Sequence, residues 1–410
     1  MQLVEKHIIN RNNEFFSECD ELAFKTKNLY NSCLYVVRQA YIKDKTNLLY
    51  ELHNLMKNSE AYKALPAKVA STVLLMVQHN FKSFFKANAE YYSNPSKFKG
   101  RPRLPKYLDK EKGRFVVSYT NQAVSKKVFK TTNKIKLSQS IIEFRTKITD
   151  FKQINCIRII PRLDYYVIEV IYTIQDTETK INNNRYMSID LGVNNLATLT
   201  SNVKGVNPII INGKPLKSIN QFYNKRLSYY QSVLENRNHS KTSKRTRKLT
   251  NKRTNKIDNY LHKASKEIVS LASTNNLNTI IIGKNDGWKQ ETNMTKSVNQ
   301  TFVNIPHSRF IQMIQYKCEI EGISVILQEE SYTSKSSFLN LDFIPVYGSS
   351  NKDHEFSGYR KSRGIYKIKD KSTLINADVN GSYNIMRKAI PNLFEDGIEG
   401  VGVHPIVITL

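Results

Sequence analysis

Residues 185–200 are the stretch that most limits what this chain can fold into. Two short apolar runs, 186–189 and 196–199, are separated by Asp190 and a turn that contains glycine. The pattern predicts two buried strands joined by a tight turn, with Asp190 at the end of the first. The next acidic residues lie twelve positions before Asp190 and 45 after it, so it does not belong to a solvated acidic face. An aspartate at a strand end can also simply cap the turn, so its role depends on partner acids elsewhere.

Further carboxylates follow other predicted elements. The apolar run 323–327 predicts a strand that leads to the adjacent pair Glu329 and Glu330, and Asp378 begins a helical pattern. Successive residues of an extended segment alternate faces, so only one of the two glutamates is expected to face the other acids, and we favour Glu330. Carboxylates from separate strands can clamp two divalent metals that act on a phosphodiester. The sequence therefore predicts a ribonuclease-H-like sheet in which Asp190, Glu330 and Asp378 bind Mg²⁺ or Mn²⁺, with Glu329 as the alternative glutamate.

The balance of charges constrains the partner. Of 410 residues, 63 are Lys or Arg and 35 are Asp or Glu, which gives a net charge of +28. The excess is spread along the chain, which favours a large polyanion such as nucleic acid. The four cysteines form no C-x-x-C pair, which argues against a disulfide framework and a Cys-based zinc site and indicates a reducing cytoplasm. There is no signal-peptide pattern, and no apolar run approaches the roughly 18 residues of a membrane span.

Before the strand of Asp190 the sequence predicts a β-rich part with a helical part inserted into it. Residues 2–9 are typical of one strand, and residues 13–90 carry apolar side chains at helical spacing. Residues 115–174 return to strands rich in β-branched and aromatic side chains. A small β-barrel that includes the first strand is the expected packing.

Two basic segments are candidate nucleic-acid contacts. The loop 97–107 lacks periodicity and is predicted to be an unpacked segment that tracks a nucleic-acid backbone, with an ordinary solvated linker as the alternative. A predicted helix pair, 216–273, carries nine basic and no acidic residues from position 237 to position 256. Because solvated helix faces usually mix charges, this run favours phosphate binding. The predicted contacts are Lys99, Arg101, Arg103 and Lys106 in the loop, and Lys244, Arg245, Arg247, Lys248, Lys252 and Arg253 in the helix pair.

Taken in order, these features resemble the TnpB family, the RNA-guided nucleases of insertion sequences that are related to type V CRISPR effectors. DLGVNNLAT at 190–198 is similar to the family's first RuvC motif, and NADVNGSYNI at 376–385 is similar to its third. YTS at 332–334, KGRP at 99–102 and YLHK at 260–263 are similar to other recurrent stretches of the family. The resemblance covers nearly the whole chain.

The resemblance implies a multidomain α/β protein that cleaves guide-matched DNA by two-metal chemistry. The implied domains are a wedge β-barrel (1–12 and 113–182), an inserted helical recognition domain (13–112) and an RNase H-like RuvC nuclease domain (183–410). The implied partners are a guide RNA and a double-stranded DNA target with a short adjacent motif, and no membrane. We expect a monomer on one RNA in the prokaryotic cytoplasm, associated with the nucleoid.

Two departures from the family pattern affect these expectations. The second-motif strand usually ends in a glutamate, but here 280–282 is followed by Gly283, so we expect Glu330 to supply the missing carboxylate. The family's four-Cys zinc ribbon corresponds to 336–374, which contains no Cys. No zinc is therefore expected, and we interpret this segment as an irregular remnant of the ribbon. Arg360 and Arg363 within it are either phosphate contacts or surface charges.

The missing glutamate keeps a function of another class open. A nuclease-dead, RNA-guided DNA-binding repressor is the main alternative, because the loss of one carboxylate of three weakens the hold on two metals. Retention of Asp190 and Asp378 in intact motifs argues against it. A transposase that joins DNA ends is a weaker reading, since the chain lacks the His-hydrophobe-His and Tyr signature of such enzymes.

Overall fold

The computed structural model describes residues 1–44, 46–238, 242–284, 305–346, 348, 354–362, 364–369 and 373–410. By its internal contacts the chain divides into two units, Met1–Gln175 and Asp176–Leu410. The finer boundaries of the wedge, helical and RuvC parts stay predictions. Arg363, a predicted nucleic-acid contact, lies outside the described residues.

The first unit contains an antiparallel sheet whose strands come from both ends of the unit. Its strands are β1 (Gln2–Ile9), β2 (Val117–Thr120), β3 (Lys134–Lys136), β4 (Glu143–Arg145), β5 (Ile154–Pro161) and β6 (Tyr166–Thr173). The sheet has the order β1-β6-β5-β2, and β3 pairs with β4 separately. β1 pairs with β6 along its whole length, from Gln2 opposite Thr173 to Ile9 opposite Tyr166. The first strand of the chain thus joins the β-rich part, as predicted, whereas closure into a barrel stays a prediction.

The helices of the first unit lie mostly between β1 and β2, where the helical insertion was expected. They are α1 (Phe16–Asp44), α2 (Leu52–Met56), α3 (Glu60–Lys63), α4 (Ala67–Ser93) and α5 (Lys126–Thr132), with short 3₁₀ turns at Pro95–Lys97, Asn121–Ala123 and Phe151–Gln153. α4 starts directly after Pro66. Proline has no backbone N–H and its ring clashes with the preceding turn, so the helix does not extend further towards the N-terminus. Val69, Val73, Val77 and Phe81 recur every four positions along α4 and are fully buried. This apolar face packs against α1 and β2 in the core of the unit.

Residues 105–114, here called the strap, have no helix or strand but are tied to one face of α1. Asn31 donates to the Leu108 carbonyl at 2.9 Å and accepts from the Leu108 N–H at 3.0 Å. The same helix face makes four more bonds: Arg38 donates to the Pro105 carbonyl (2.7 Å), Lys27 donates to the Lys110 carbonyl (2.5 Å), and Asp20 accepts two bonds from Arg114 (2.8 and 2.9 Å). These helix residues are four or seven positions apart, which places them on one face. The prediction of an unpacked segment was made for 97–107 and is wrong where this loop overlaps the strap, at 105–107, because Arg38 of α1 bonds to the Pro105 carbonyl.

The second unit is organised around the predicted hairpin. Its strands are β7 (Tyr186–Leu191), β8 (Asn195–Ser201), β9 (Ile209–Asn212), β10 (Thr279–Gly283), β11 (Ser324–Gln328), β12 (Gly358–Ser362), β13 (Ile365–Ile368), β14 (Leu374–Asn376) and β15 (Ile406–Ile408). The main sheet has the order β11-β10-β7-β8-β9-β15, with β8 antiparallel and β10 parallel to β7. β11 lies beside β10 in parallel register, so the strand that leads to Glu330 neighbours the strand that ends at Gly283.

The helices of the second unit cover the main sheet. They are α6 (Lys214–Asn238), α7 (Lys244–Thr274), α8 (His307–Ile320) and α9 (Ala377–Ala389), and α6 and α7 are the predicted helix pair. α9 packs on β7, β8 and β10 through buried residues such as Val379, Tyr383 and Ile385. Among the described helices, none has the length and apolar character needed to cross a bilayer.

The segment 336–374 is more regular than predicted. β12 and β13 form an antiparallel pair that β14 extends. Tyr366 is buried over Gly358, where a β-carbon would overlap its ring, and its hydroxyl donates to the Lys335 carbonyl at 2.7 Å. The expectation of an irregular remnant is thus wrong for 358–362 and 365–368, since one buried tyrosine and a glycine across the strand pair give this small sheet its own packing.

Candidate active site

Asp190 lies near the C-terminal end of β7, opposite Thr198 of β8. Its carboxylate rests against α9 at Gly381, where an added β-carbon would lie 2.8 Å from Asp190 Oδ2. Glycine at that position lets the helix backbone approach the carboxylate. The turn after β7 is held by His307, whose Nε2 lies 3.0 Å from the Gly192 carbonyl oxygen. The acid therefore stands at the end of a buried strand, where the sequence placed it.

Glu330 follows β11, and its carboxylate fills the space that a side chain at Gly283 would occupy. Gly283 ends β10 opposite Gln328 of β11. A β-carbon added to Gly283 would overlap Glu330 Oε2 and would lie 2.6 Å from Ile385 Cδ1 of α9. The Glu330 carboxylate, which follows β11, thus occupies the space that the absent side chain of Gly283 leaves beside β10.

The two adjacent glutamates have different surroundings. Glu329 accepts hydrogen bonds from Lys388 Nζ at 2.5 Å and from the Ser331 N–H at 2.6 Å. Burial opposes the charged form of Glu329, but these hydrogen bonds from Lys388 and Ser331 lower its pKa. Of the two glutamates, only Glu330 is among the described residues that line the cavity around Asp190. Glu330, and not Glu329, therefore lies in the cavity with the other acids, and its role as the metal-binding glutamate stays a prediction.

Asp378 stands in the first turn of α9, where Asn376 caps the helix by accepting from the Asp378 N–H at 3.0 Å. Arg360 of β12 donates to Asp378 Oδ1 at 2.8 Å. Asn195, at the start of β8, donates to Asp378 Oδ2 at 2.6 Å. Both carboxylate oxygens are therefore bonded to side chains of this unit.

Two buried asparagines, one helical turn apart on α9, fix the segment that carries Glu330. Asn384 donates to the carbonyls of Thr333 and Ser336 at 2.9 and 2.7 Å, and Asn380 donates to the Ser336 carbonyl at 2.8 Å. The Thr333 hydroxyl donates to the Glu330 carbonyl at 2.8 Å. An irregular buried segment needs such partners for its backbone. These bonds give Glu330 a defined position relative to α9.

Asp190, Glu330 and Asp378 line one cavity of about 1210 Å³. Burial, then the negative charges of Glu330 and Asp378, raise the pKa of Asp190 well above its usual range, with Arg360 acting in the opposite direction. Burial, then the charge of Glu329, raises the pKa of Glu330 to about 7 against the opposing charge of Lys388. Carboxylates that repel one another in a partly desolvated cavity are a setting that a bound cation stabilises.

The donor chemistry of these side chains fits a hard divalent cation, because carboxylate oxygens suit Mg²⁺ and Mn²⁺. Throughout the described parts of the chain, however, no three His, Cys, Asp or Glu side chains already form a group that could hold an ion. Asp378 is the residue that has to change partners, since Arg360 and Asn195 hold its two oxygens. The absence of zinc from this protein stays a prediction.

The predicted contacts on α7 form a basic surface with aromatic neighbours on α6. The exposed members of this set are Lys244, Arg245, Arg247, Lys248 and Lys252. Arg245 lies over the Tyr230 ring at 5.4 Å from its centroid. Arg253 is half-buried, lies over the Tyr223 ring at 5.0 Å and donates to Asn220 at 2.7 Å. Arg253 therefore joins the two helices, and contact of this surface with nucleic acid stays a prediction.

The predicted contacts of the first unit, Lys99, Arg101, Arg103 and Lys106, are all exposed. Arg101 donates to the Tyr92 hydroxyl at 2.7 Å and lies over that ring. Their binding of nucleic acid also stays a prediction.

Several residues that shape the acidic cavity were missed from the sequence. Asn195 belongs to the quoted first motif but was assigned no role. Asn380 and Asn384 are four positions apart on the buried face of a predicted helix. Buried polar side chains need hydrogen-bond partners, so their position indicated that they hold another segment of the chain. Lys388 carried no comparable signal, since a lysine in the last turn of a helix is common.

Comparison with known proteins adds to this geometry. Residues 169–289 match the OrfB_IS605 family, described as a probable transposase, and residues 307–385 match the Cas12f1-like TNB domain. The first match confirms the resemblance to the TnpB family, and the second adds a segment of Cas12f1-like type. A search of curated proteins finds no match to this chain.

Solved structures of RNA-guided effectors are similar to this chain. A Cas12f1–sgRNA–target DNA complex shows 15% identity and a TM-score of 0.37, covering 95% of this chain and 100% of that chain. The mini-RNA-guided endonuclease CRISPR-Cas_phi3 shows 10% identity and a TM-score of 0.44, covering 99% and 94% of the two chains. Alicyclobacillus acidoterrestris C2c1 in complex with single-guide RNA shows 9% identity and a TM-score of 0.43, covering 91% and 70%.

Proposed function

We propose that this protein is the RNA-guided DNA endonuclease of a transposon, and that it hydrolyses phosphodiester bonds of guide-matched DNA at Asp190, Glu330 and Asp378. The observation that carries the proposal is the Glu330 carboxylate, which fills the space at Gly283 and shares a cavity with the other two acids. The TnpB-type and Cas12f-type segments and the net charge of +28 support guide RNA and target DNA as partners.

Each residue of the cavity has a role in this proposal. Two bound Mg²⁺ or Mn²⁺ ions would supply the activated water and the stabilisation of the leaving oxygen. Asp190 at the end of β7 and Glu330 after β11, two strands that flank β10, would hold the ions from the sheet side, and Asp378 from the helix side. Arg360 and Asn195 would release Asp378 when it turns to an ion, and Arg360 could then contact a substrate phosphate.

The nuclease-dead repressor remains the second candidate, and one observation favours it. Asp378 is paired with Arg360 at 2.8 Å, so its carboxylate has a positive partner without a metal. In a repressor this ion pair would be permanent, and the protein would bind guide-matched DNA without cutting it.

The experiment that tests the proposal uses the full-length protein with its copurified RNA. The RNA is sequenced, and DNA that contains the matching sequence is supplied with Mg²⁺ or Mn²⁺. We expect cleavage that EDTA and the Asp190→Ala variant both abolish. Guide-dependent binding without cleavage would establish the repressor, and binding that is independent of the copurified RNA would overturn both candidates.

A further inference from the structure

The first unit contains a cavity of about 500 Å³ that the proposed cleavage reaction does not use. It lies between the C-terminal halves of α1 and α4 and the basic loop that leads into the strap. Its volume falls within the range of about 300–1,000 Å³ that is usual for small-ligand sites. Its walls combine two aromatic rings, Tyr41 and Phe84, with four cations, and no acid is among the described residues that line it.

The walls of this cavity are held in place by contacts within the unit. Arg38 donates to the Pro105 carbonyl at 2.7 Å and lies over the Tyr107 ring at 4.9 Å. The Tyr41 and Phe84 rings meet edge to face, with centroids 6.1 Å apart and planes at 84°. A loop that only tracked a nucleic-acid backbone would not need a strap that fixes it beside two aromatic side chains. The arrangement is that of a preorganised binding site.

The chemistry of the walls selects the ligand. Aromatic rings beside cations suit a nucleobase stacked on a ring and a phosphate held by charge. A paired base inside a duplex presents only its edges, so a ring can stack on a base only where the strand is unpaired. Asn88, half-buried in the same wall, carries an amide that can pair with a base edge.

We propose that this cavity binds one unpaired nucleotide of a nucleic-acid strand, with its base against Tyr41 and Phe84 and its phosphate at Arg103 and Lys106. Of the exposed cations of the wall, Arg101 already bonds to the Tyr92 hydroxyl, and the half-buried Arg38 bonds to the Pro105 carbonyl, so we assign the phosphate to Arg103 and Lys106. The inference rests on the proposed nucleic-acid-binding function and refines it, because it makes the basic loop part of a nucleotide pocket.

The test uses full-length protein freed of RNA by high salt and kept in EDTA, so that cleavage does not interfere. The probes are a short RNA with a central 2-aminopurine, the DNA of the same sequence, and the duplex of each. Anisotropy gives the affinities, and quenching of 2-aminopurine reports stacking of the base. Phe84→Leu keeps apolar volume but removes the ring, and Arg103→Gln removes one cation. Lys127→Gln, an exposed cation on α5, is the matched charge control.

We expect Phe84→Leu and Arg103→Gln to weaken single-strand binding about tenfold. We expect Phe84→Leu also to abolish the quenching, and both variants to bind duplex no more weakly than Lys127→Gln does. A preference of the wild type for the RNA or the DNA probe would identify which strand supplies the nucleotide. Circular dichroism checks folding, and Asn88→Ala replaces Phe84→Leu in the comparison if that variant unfolds.

The proposal is overturned if Arg103→Gln weakens single-strand and duplex binding equally while Phe84→Leu changes neither affinity nor quenching. That result would assign the loop to backbone tracking and would leave the proposed nuclease intact. If the wild-type protein does not cleave matched DNA in the separate experiment with Mg²⁺ or Mn²⁺ but shows single-strand stacking here, the nuclease is contradicted and the pocket is supported.

Discussion

The acidic cavity of the second unit and the basic cavity of the first are built in different ways. Asp190 lies at the end of β7, Asp378 begins α9, and Glu330 directly follows β11 in a short segment that two buried asparagines of α9 hold. The basic cavity depends on an irregular segment that side chains of α1 hold by its backbone. Metal chemistry tolerates little displacement of its ligands and is best supported by rigid elements. Binding of a nucleotide tolerates a wall tied by a few hydrogen bonds. We therefore expect substitutions in the acidic cavity to act mainly on cleavage and those in the strap to act mainly on binding.

The largest effect is expected from Glu330→Gln, which keeps the size of the side chain but removes its charge. Cleavage of guide-matched DNA should fall on the order of 10³-fold, because a group that stabilises charge in the transition state is lost. Guide-dependent DNA binding should stay unchanged. Glu329→Gln is the matched control, because its partner is Lys388, and it should reduce cleavage by less than about tenfold. Single-turnover cleavage and filter binding measure the two quantities. The reverse ranking of the two variants would show that the wrong glutamate was assigned to the cavity.

Gly283→Ala tests whether Glu330, which follows β11, occupies the space of the side chain that β10 lacks at Gly283. The added β-carbon would overlap Glu330 Oε2 and crowd Ile385, which should cost about 1–3 kcal/mol of stability. A displacement of Glu330 by about 1 Å should lower cleavage about 10²-fold. Gly100→Ala in the basic loop is the matched control in the other region, since its β-carbon would meet nothing within 4 Å. Thermal unfolding and cleavage are measured together, and a Gly283→Ala variant as stable and active as Gly100→Ala would argue against the overlap.

Two substitutions, one asparagine to alanine in each region, compare how strongly the two irregular segments are held. Asn384 is fully buried, so Asn384→Ala leaves the Thr333 carbonyl without its donor and should cost about 1–3 kcal/mol. Asn31 is half-buried, so in Asn31→Ala the backbone groups of Leu108 can bond to water instead. The free energy of unfolding should fall by about 0.5–1.5 kcal/mol. Hydrogen exchange of the Leu108 amide should become faster only in Asn31→Ala. Equal losses of stability in the two variants would contradict the difference in burial on which this comparison depends.

The two regions also differ in how far the sequence predicts them. Asp190, Glu330 and Asp378 each follow or begin a segment whose periodicity is clear, so their convergence could be expected from the order of the strands. The strap could not be predicted, because Asn31 and Leu108, which bond to each other, are 77 positions apart in the sequence. No periodic pattern of apolar residues points to this contact. The strands at 358–362 and 365–368 were missed for a similar reason, since the buried Tyr366 side chain bonds to the distant Lys335 carbonyl. The periodicity of apolar residues indicates which face of a helix or strand is buried, whereas these contacts depend on tertiary packing.

The smallest effect is expected from Arg360→Gln, which tests whether the acidic cavity is held closed by its own ion pair. The Arg360 and Asp378 side chains are 46% and 27% exposed, so their pairing is expected to be worth at most about 1 kcal/mol. An ion that uses Asp378 has to displace this guanidinium, so its removal should strengthen binding of Mn²⁺ to the RNA-free protein by about two- to fivefold. Lys361→Gln, which removes an exposed charge from the next position of β12, separates direct pairing from the general loss of positive charge. Titration followed by electron paramagnetic resonance measures free Mn²⁺ without any need for cleavage. Equal affinities in the two variants would show that Arg360 does not compete with the ion. Stronger metal binding combined with slower cleavage would instead indicate that the displaced arginine contacts the substrate phosphate.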